Sequence, residues 1–312
     1  MGFLKDLLLK QRYPALLLVT GVLSLFAGNY SLSGKVTEPQ IQREPPRILF
    51  NVLGLICVLT SVGLFLLDED FVAYRRGCKI SATKTGFEAK FRDSTLAVEF
   101  GLLQDLYQPA DSGSVVVLPA NEFFDDRCFR DDRTAAGAFV GRYFSREGAE
   151  RLKILVHKEL NRRPAQTIST GAGTTLSSYG VGTCVYLSQP LGQPVRMIFA
   201  AIASDRVPHG LRADLSTIFK AVEQVKCELA NERLSTLFTP LLGAGKGGVP
   251  AEIALMILVS ALLEARCRDG GHHLREMHVV VFQSGDKEPQ VPKRKAKRAL
   301  RQLVSLYQEM SR

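Results

Sequence analysis

Hydrophobic and polar positions repeat with a clear period over most of the chain beyond residue 94. "TLAVEFG" (95–101) alternates apolar and polar residues, the pattern of a half-buried strand. "SVVVLPA" (114–120) is a short β-branched run that suits a buried strand. Between 145 and 163, Leu152, Leu155, Val156 and Leu160 recur at helical spacing behind Ser145, a good helix cap. "GTCVYL" (182–187) and "PVRMIFAAIA" (194–203) read as two strands joined by a tight return through "SQPLGQ". A helix is predicted over 212–233, a strand over 234–243, a helix over 250–267 and a strand over 277–282. Pro250 opens the second of these helices, where its missing N–H costs nothing. From about 293, Leu300, Leu303, Val304 and Tyr307 mark a last helix. Alternating strands and helices predict an α/β layered domain.

The first 70 residues follow another pattern. Neither 13–32 nor 48–67 holds a charged residue, and each has the length that crosses a hydrocarbon core of roughly 30 Å as a helix. A cleaved leader for the first and a buried core helix for the second are the competing readings. Two such stretches around a short polar segment favour a transmembrane hairpin. The expected division is therefore 1–70, the hairpin, and 71–312, one α/β domain. An even number of spans puts both termini on one side. Lysines and arginines near the ends give only a weak bias. Cys78, Cys128, Cys184, Cys227 and Cys267 show no C-x-x-C spacing, which suits a reducing compartment, so both termini are read as cytoplasmic, at the inner cell membrane.

The formal net charge of +9 points to an anionic partner. Much of it lies in 287–310. The preferred reading is a helix that packs one face and solvates the other; the sharper one is a basic face held against anionic lipid.

Candidate chemistry centres on "TPLLGAGKGGVP" (239–250). Gly243, Gly245 and Gly248 form a G-x-G-x-x-G after a strand and before a helix, a place where backbone N–H groups can hold an anion. With 26 glycines in the chain, the spacing alone carries little. A Rossmann fold is excluded because only one more strand and a final helix remain after the helix that this loop opens. A P-loop is excluded because Gly247, not Ser or Thr, follows Lys246. The loop then belongs to the last βαβ unit of a sheet that began earlier. A second wall is sought at Pro119-Ala120-Asn121, where Asn121 offers a donor and an acceptor. The alternative role for Asn121 is to cap its own turn. The small residues of "TAAGAFVG" (134–141) would admit a ligand closely. His272 and His273 are adjacent and His278 begins a strand, so no metal cluster is predicted.

Taken in order, "PAN" (119–121), "AAGAF" (135–139), "YGVGTCVYL" (179–187) and "TPLLGAGKGGVP" (239–250) resemble a macro domain, over roughly residues 95–285. With the hairpin in front, the chain is similar to the transmembrane–macro effectors of type II Thoeris anti-phage systems. The resemblance implies a three-layer α/β/α domain with a mixed sheet. It implies no cofactor, and binding rather than catalysis. Its ligand would be an ADP-ribose derivative, histidine–ADP-ribose, made by a TIR-domain partner. Membrane damage by a homo-oligomer would follow, and no nucleic acid is expected. By position, Asn121 would reach the distal ribose. Gly137, Ala138 and Phe139 would form the first ligand loop. Gly243, Ala244, Gly245, Lys246, Gly247 and Gly248 would wrap the diphosphate. The family's Gly-Asp-Ile is absent, since Leu102 follows Gly101; Gln104 or Asp105 are the substitutes for adenine. The runner-up is an ADP-ribosyl hydrolase, with Asp125, Asp126 or Asp132 activating water.

Overall fold

The computed structural model describes residues 79–109, 113–169, 175–206, 210–268 and 274–310. The expected spans at 13–32 and 48–67 lie outside the described residues. Within them, no helix is long and apolar enough to cross a membrane. The described residues all belong to one compact unit, Gly77–Arg312.

Eleven strands appear among the described residues: β1 (Ile80–Ala82), β2 (Gly86–Phe91), β3 (Ser94–Gly101), β4 (Ser114–Asn121), β5 (Gln166–Ser169), β6 (Thr175–Ser178), β7 (Cys184–Ser188), β8 (Arg196–Arg206), β9 (Gly210–Arg212), β10 (Thr236–Pro240) and β11 (Glu276–Phe282). The main sheet runs β1-β2-β3-β11-β10-β4-β8-β7, with β9 paired to β8. Its centre is parallel from β3 through β11, β10 and β4 to β8. Its edges, β1–β2–β3 and β7–β8, are antiparallel, so the sheet is mixed. The hairpin β5–β6 stands apart. Ser178 at its end donates to the fully buried Glu122 at 2.5 Å, which ties it to the end of β4.

The period of two sends alternate side chains to two cores. Val115 and Val117 of β4, with Ile198, Ala200 and Ile202 of β8, enter one core. Val116, Leu118 and Ala120, with Met197, Phe199 and Ala201, enter the other. The first core is covered by α5 (Leu215–Glu232), α6 (Ala251–Arg268) and α7 (Lys293–Met310). The second is covered by α1 (Leu103–Leu106), α2 (Arg127–Arg130), α3 (Ala135–Tyr143) and α4 (Arg146–Leu160). The result is the three-layer α/β/α arrangement expected.

The helices begin where their caps dictate. Ser145 accepts from the Gly148 N–H and starts α4. Asp214 and Thr217 form a reciprocal capping box for α5, whose Ile218, Ala221, Val222, Val225 and Leu229 face the sheet. In α7, Ala296, Leu300 and Val304 are buried. Its basic side is turned outward, with Lys295 paired to Glu252 at 2.6 Å. The edge strands β1 and β2 and the β5–β6 hairpin had no place in the sequence reading. β1 and the β5–β6 hairpin are short and polar, and pairing rather than period defines them, whereas β2 alternates Phe87, Ala89 and Phe91 with polar residues and buries the last two.

Candidate functional site

Because five neighbouring strands are parallel, their carboxyl ends share one edge of the sheet, where open α/β sheets place ligands. A half-open cavity of about 130 Å³ lies there. Its floor is Pro119, Ala120 and Asn121 from β4 with Ile202 and Ala203 from β8. One wall is Leu241, Gly243, Gly245, Lys246 and Gly247 from the loop after β10. The facing wall is Arg127, Cys128, Arg133, Thr134 and Ala135, and Leu211 of β9 closes the side. The interior is largely apolar, and its cations are Arg127, Arg133 and Lys246.

The glycine loop turns back on itself through three internal bonds. The N–H groups of Ala244, Gly248 and Val249 donate to the carbonyls of Leu241, Gly245 and Gly243 at 3.4, 3.1 and 3.0 Å. Among the described residues this leaves the N–H groups of Gly245, Lys246 and Gly247 for an anion. Gly243 and Gly248 have φ of +80° and +77°, a region that favours glycine. Gly247 is needed for another reason: a Cβ there would come within 2.8 Å of the Gly243 carbonyl and 2.9 Å of the Ala213 Cβ. Gly245 differs from both, since a Cβ there meets nothing within 4 Å. Of the six loop residues expected to wrap a ligand, Gly243, Gly245, Lys246 and Gly247 line the cavity. Ala244 and Gly248 do not.

Asn121 is 3% exposed at the end of β4, next to a register shift against β8. Its Oδ1 accepts from the Phe123 N–H at 3.1 Å and the Asp125 N–H at 3.4 Å. The acceptor thus caps the turn, which holds Phe124 at φ +50°. What Asn121 has left to offer a ligand is its Nδ2 donor. Both expected roles, turn cap and cavity wall, fall on the same side chain.

The first expected ligand loop falls on a helix. Gly137, Ala138 and Phe139 lie inside α3 and do not line the cavity. Phe139 is fully buried, packed edge-on to Tyr107 with ring centroids 5.5 Å apart. Gly137 is small because α3 lies on the Asp131 main chain: a Cβ would come within 2.1 Å of that carbonyl oxygen. The contact with the cavity falls earlier, on Thr134 and Ala135. Thr134 caps α3 by accepting from the Gly137 N–H at 3.0 Å. That cap brings the N-terminal end of α3, with its partial positive charge, to the cavity wall.

Each rim cation has a carboxylate. Arg127 donates from Nε to Asp125 at 2.8 Å. Arg133 donates from Nε to Asp131 at 2.8 Å, and Lys246 pairs with the same carboxylate. Arg133 and then Lys246 hold the Asp131 carboxyl well below the usual carboxylate range. Burial pushes the Cys128 thiol up to about 12, so it stays protonated and unreactive. Gln104 and Asp105, the substitutes named for adenine, lie in α1 and do not line the cavity. The arginines were missed by the sequence reading; the signal was "DDRCFRDDR" (125–133), acid and arginine two apart, repeated. Among the described residues, no group of His, Cys, Asp and Glu side chains could hold a metal.

No protein-family model matches the chain, and no curated protein matches it. Among solved structures it is similar to the Oceanobacillus iheyensis macrodomain with ADP, at 14% identity over 74% of this chain and 99% of that one, with a TM-score of 0.46. It is similar to the Trypanosoma brucei macrodomain in complex with ADP-ribose, at 14% identity over 65% and 67% of the two chains, with a TM-score of 0.42. The macro domain of ganglioside induced differentiation associated protein 2 is similar at 13% identity over 60% and 77%, with a TM-score of 0.41.

Proposed function

We propose that the α/β domain binds an ADP-ribose derivative, with the diphosphate on the glycine loop and the distal ribose at Asn121. One observation carries this reading. Asn121 and the loop residues Gly243, Gly245, Lys246 and Gly247, at least 122 positions away in the chain, line one cavity at the carboxyl ends of parallel strands. Thr134 at the start of α3 and the cations Arg127, Arg133 and Lys246 line the same cavity. At about 130 Å³ the cavity is smaller than a whole small-molecule site, which runs to roughly 300 Å³ or more. It fits the ribose–phosphate part, with the rest of the ligand across the open mouth.

The finer reading follows the sequence resemblance. The domain is the cytoplasmic sensor of a membrane-anchored anti-phage effector. It takes histidine–ADP-ribose from a TIR-domain partner, then oligomerises and disrupts the membrane. Sensing rather than hydrolysis is favoured because no carboxylate among the described residues lines the cavity. Asp125 is held by Arg127, and Asp126 by Lys153 and Arg130. Asp132 is exposed on the surface.

Calorimetry of the protein against ADP-ribose, NAD and histidine–ADP-ribose tests the binding reading; silence with all three removes it. Recovery of intact ligand after long incubation separates a sensor from a hydrolase. A reporter at 33–45 should lie on the outer, periplasmic side of the membrane and one at the C-terminus on the cytoplasmic side. A C-terminus outside would refute the anchor as drawn.

A further inference from the structure

Asp131 does not line the cavity, yet it holds two of the three cations that do. Its main chain is fixed. The Asp131 carbonyl accepts from the Thr134 N–H at 2.9 Å and from the Thr134 hydroxyl at 2.7 Å. Helix α3 lies against the same carbonyl through Gly137, with no room for a side chain between. From this fixed base the carboxylate, 13% exposed, reaches Arg133 on its own wall. It also reaches Lys246 on the opposite wall, 115 residues on in the sequence.

Lys246 sits in the middle of the glycine loop, between Gly245 and Gly247. Among the described residues the loop is also hydrogen-bonded to the domain by the Ala213 N–H, which donates to the Gly247 carbonyl at 3.0 Å, and by Gln290, which donates to the Ala244 carbonyl at 3.1 Å. Joining Asp131 to Lys246 therefore links the two walls across the mouth. A carboxylate carries the same sign as a phosphate oxygen and takes the same donors. While Asp131 holds Arg133 and Lys246, an incoming phosphate must compete for them. A neutral riboside has no group with which to do so.

We propose that Asp131 sets the specificity of the cavity: it is an internal anion that keeps Lys246 and Arg133 engaged until a ligand diphosphate replaces it. The inference rests on reading the cavity as a diphosphate site. Binding then carries two changes. The walls are freed from each other, and the glycine loop is freed to follow the ligand. Net negative charge on the ligand becomes a requirement, because only an anion recovers what the broken pairs lose.

The test uses the full chain and two substitutions. Asp131→Asn keeps the size of the side chain and the main-chain contacts with Thr134 and Gly137, but gives up the charge. Lys246→Met breaks the same tie from the other wall without touching Asp131. ADP-ribose affinity is measured by calorimetry, and amide exchange over 243–248 is measured in the free proteins. Asp131→Asn should bind ADP-ribose about tenfold more tightly than the wild type, and Lys246→Met more weakly. Equal or weaker binding by Asp131→Asn, with the wild type binding, overturns the proposal. Where ADP-ribose binds none of the proteins, the diphosphate reading has failed and exchange decides the tie on its own. Faster exchange over 243–248 in both variants keeps it; unchanged exchange in either removes it.

Discussion

His278 on β11 lies 3.0 Å through Nδ1 from the Glu99 carboxylate on β3, while its ring stacks on Phe238 at 4.3 Å with 10° between the planes. Thr85 donates to the other oxygen of Glu99 at 2.9 Å, and Glu276 stands 3.6 Å from His278 Nε2. Burial works against the imidazolium, but the bonds and charges of Glu99 and then Glu276 together outweigh it and raise the His278 pKa above 6.5. Burial likewise works against the Glu99 carboxylate, but His278 outweighs it and lowers that pKa below 4.5.

These shifts give a pH window. The His278 contribution is fully present below its unfolded pKa near 6.5 and is lost as pH rises through its higher folded value. The Glu99 contribution is present above 4.5 and is lost as pH falls through its lower folded value. The stability difference between wild type and His278→Gln should therefore be largest between these limits, on the order of 1 kcal/mol. It should shrink on either side. Thermal melts at a series of pH values check this; a difference that grows toward alkaline pH would contradict the pairing.

The two central glycines of the loop should respond differently. Gly245→Glu places a carboxylate in open space beside the proposed diphosphate, so ligand binding should be lost with the melting temperature nearly unchanged. Gly247→Ala forces a Cβ against the Gly243 carbonyl and Ala213, so its main effect should be on stability. Paired calorimetry and melting curves distinguish them. Intact binding in Gly245→Glu would reduce the loop to a turn.

Asn121 combines a cap and a candidate ligand donor, and two substitutions separate them. Asn121→Asp keeps the acceptor for the Phe123 and Asp125 N–H groups but removes the donor. The turn keeps its cap while affinity for an ADP-ribose ligand falls, and the buried carboxylate adds a stability cost that is lost as pH falls and the acid protonates. Asn121→Ala removes both, so affinity should fall with an added stability cost of about 1 kcal/mol. Equal affinity in Asn121→Asp and wild type would show that the side chain serves the turn alone.

Arg266 is 3% exposed on α6, where its Nε donates to Ser94 Oγ at 2.7 Å and its other end pairs with Asp93. Removing the acid leaves a buried guanidinium without its carboxylate; replacing the base by methionine leaves an apolar chain of similar length. Asp93→Ala should therefore cost more than Arg266→Met, by about 1 to 3 kcal/mol. Denaturant unfolding of the two variants gives the order, and the reverse order would refute the argument.

The sequence by itself determined the elements whose period is local. The strands at β3, β4, β8, β10 and β11 and the helices α4 to α7 follow from alternation, from 3.6-residue spacing and from caps such as Ser145. It also determined that a glycine loop follows a late strand, because Gly and Pro act on the residues beside them. Tertiary structure decided the rest. Phe139 carried the pattern of a ligand loop, but the Thr134 cap starts a helix that turns its ring inward onto Tyr107. Gly245 and Gly247 are indistinguishable in sequence, and only the nearness of Ala213 separates them. Arg127 and Arg133 look like solvated surface charges until β4 and β10 pair and bring their loop opposite Lys246. Hydrophobic period is written within a dozen residues, whereas the site is made of contacts such as Lys246 with Asp131, 115 residues apart, that exist only once the strands have paired.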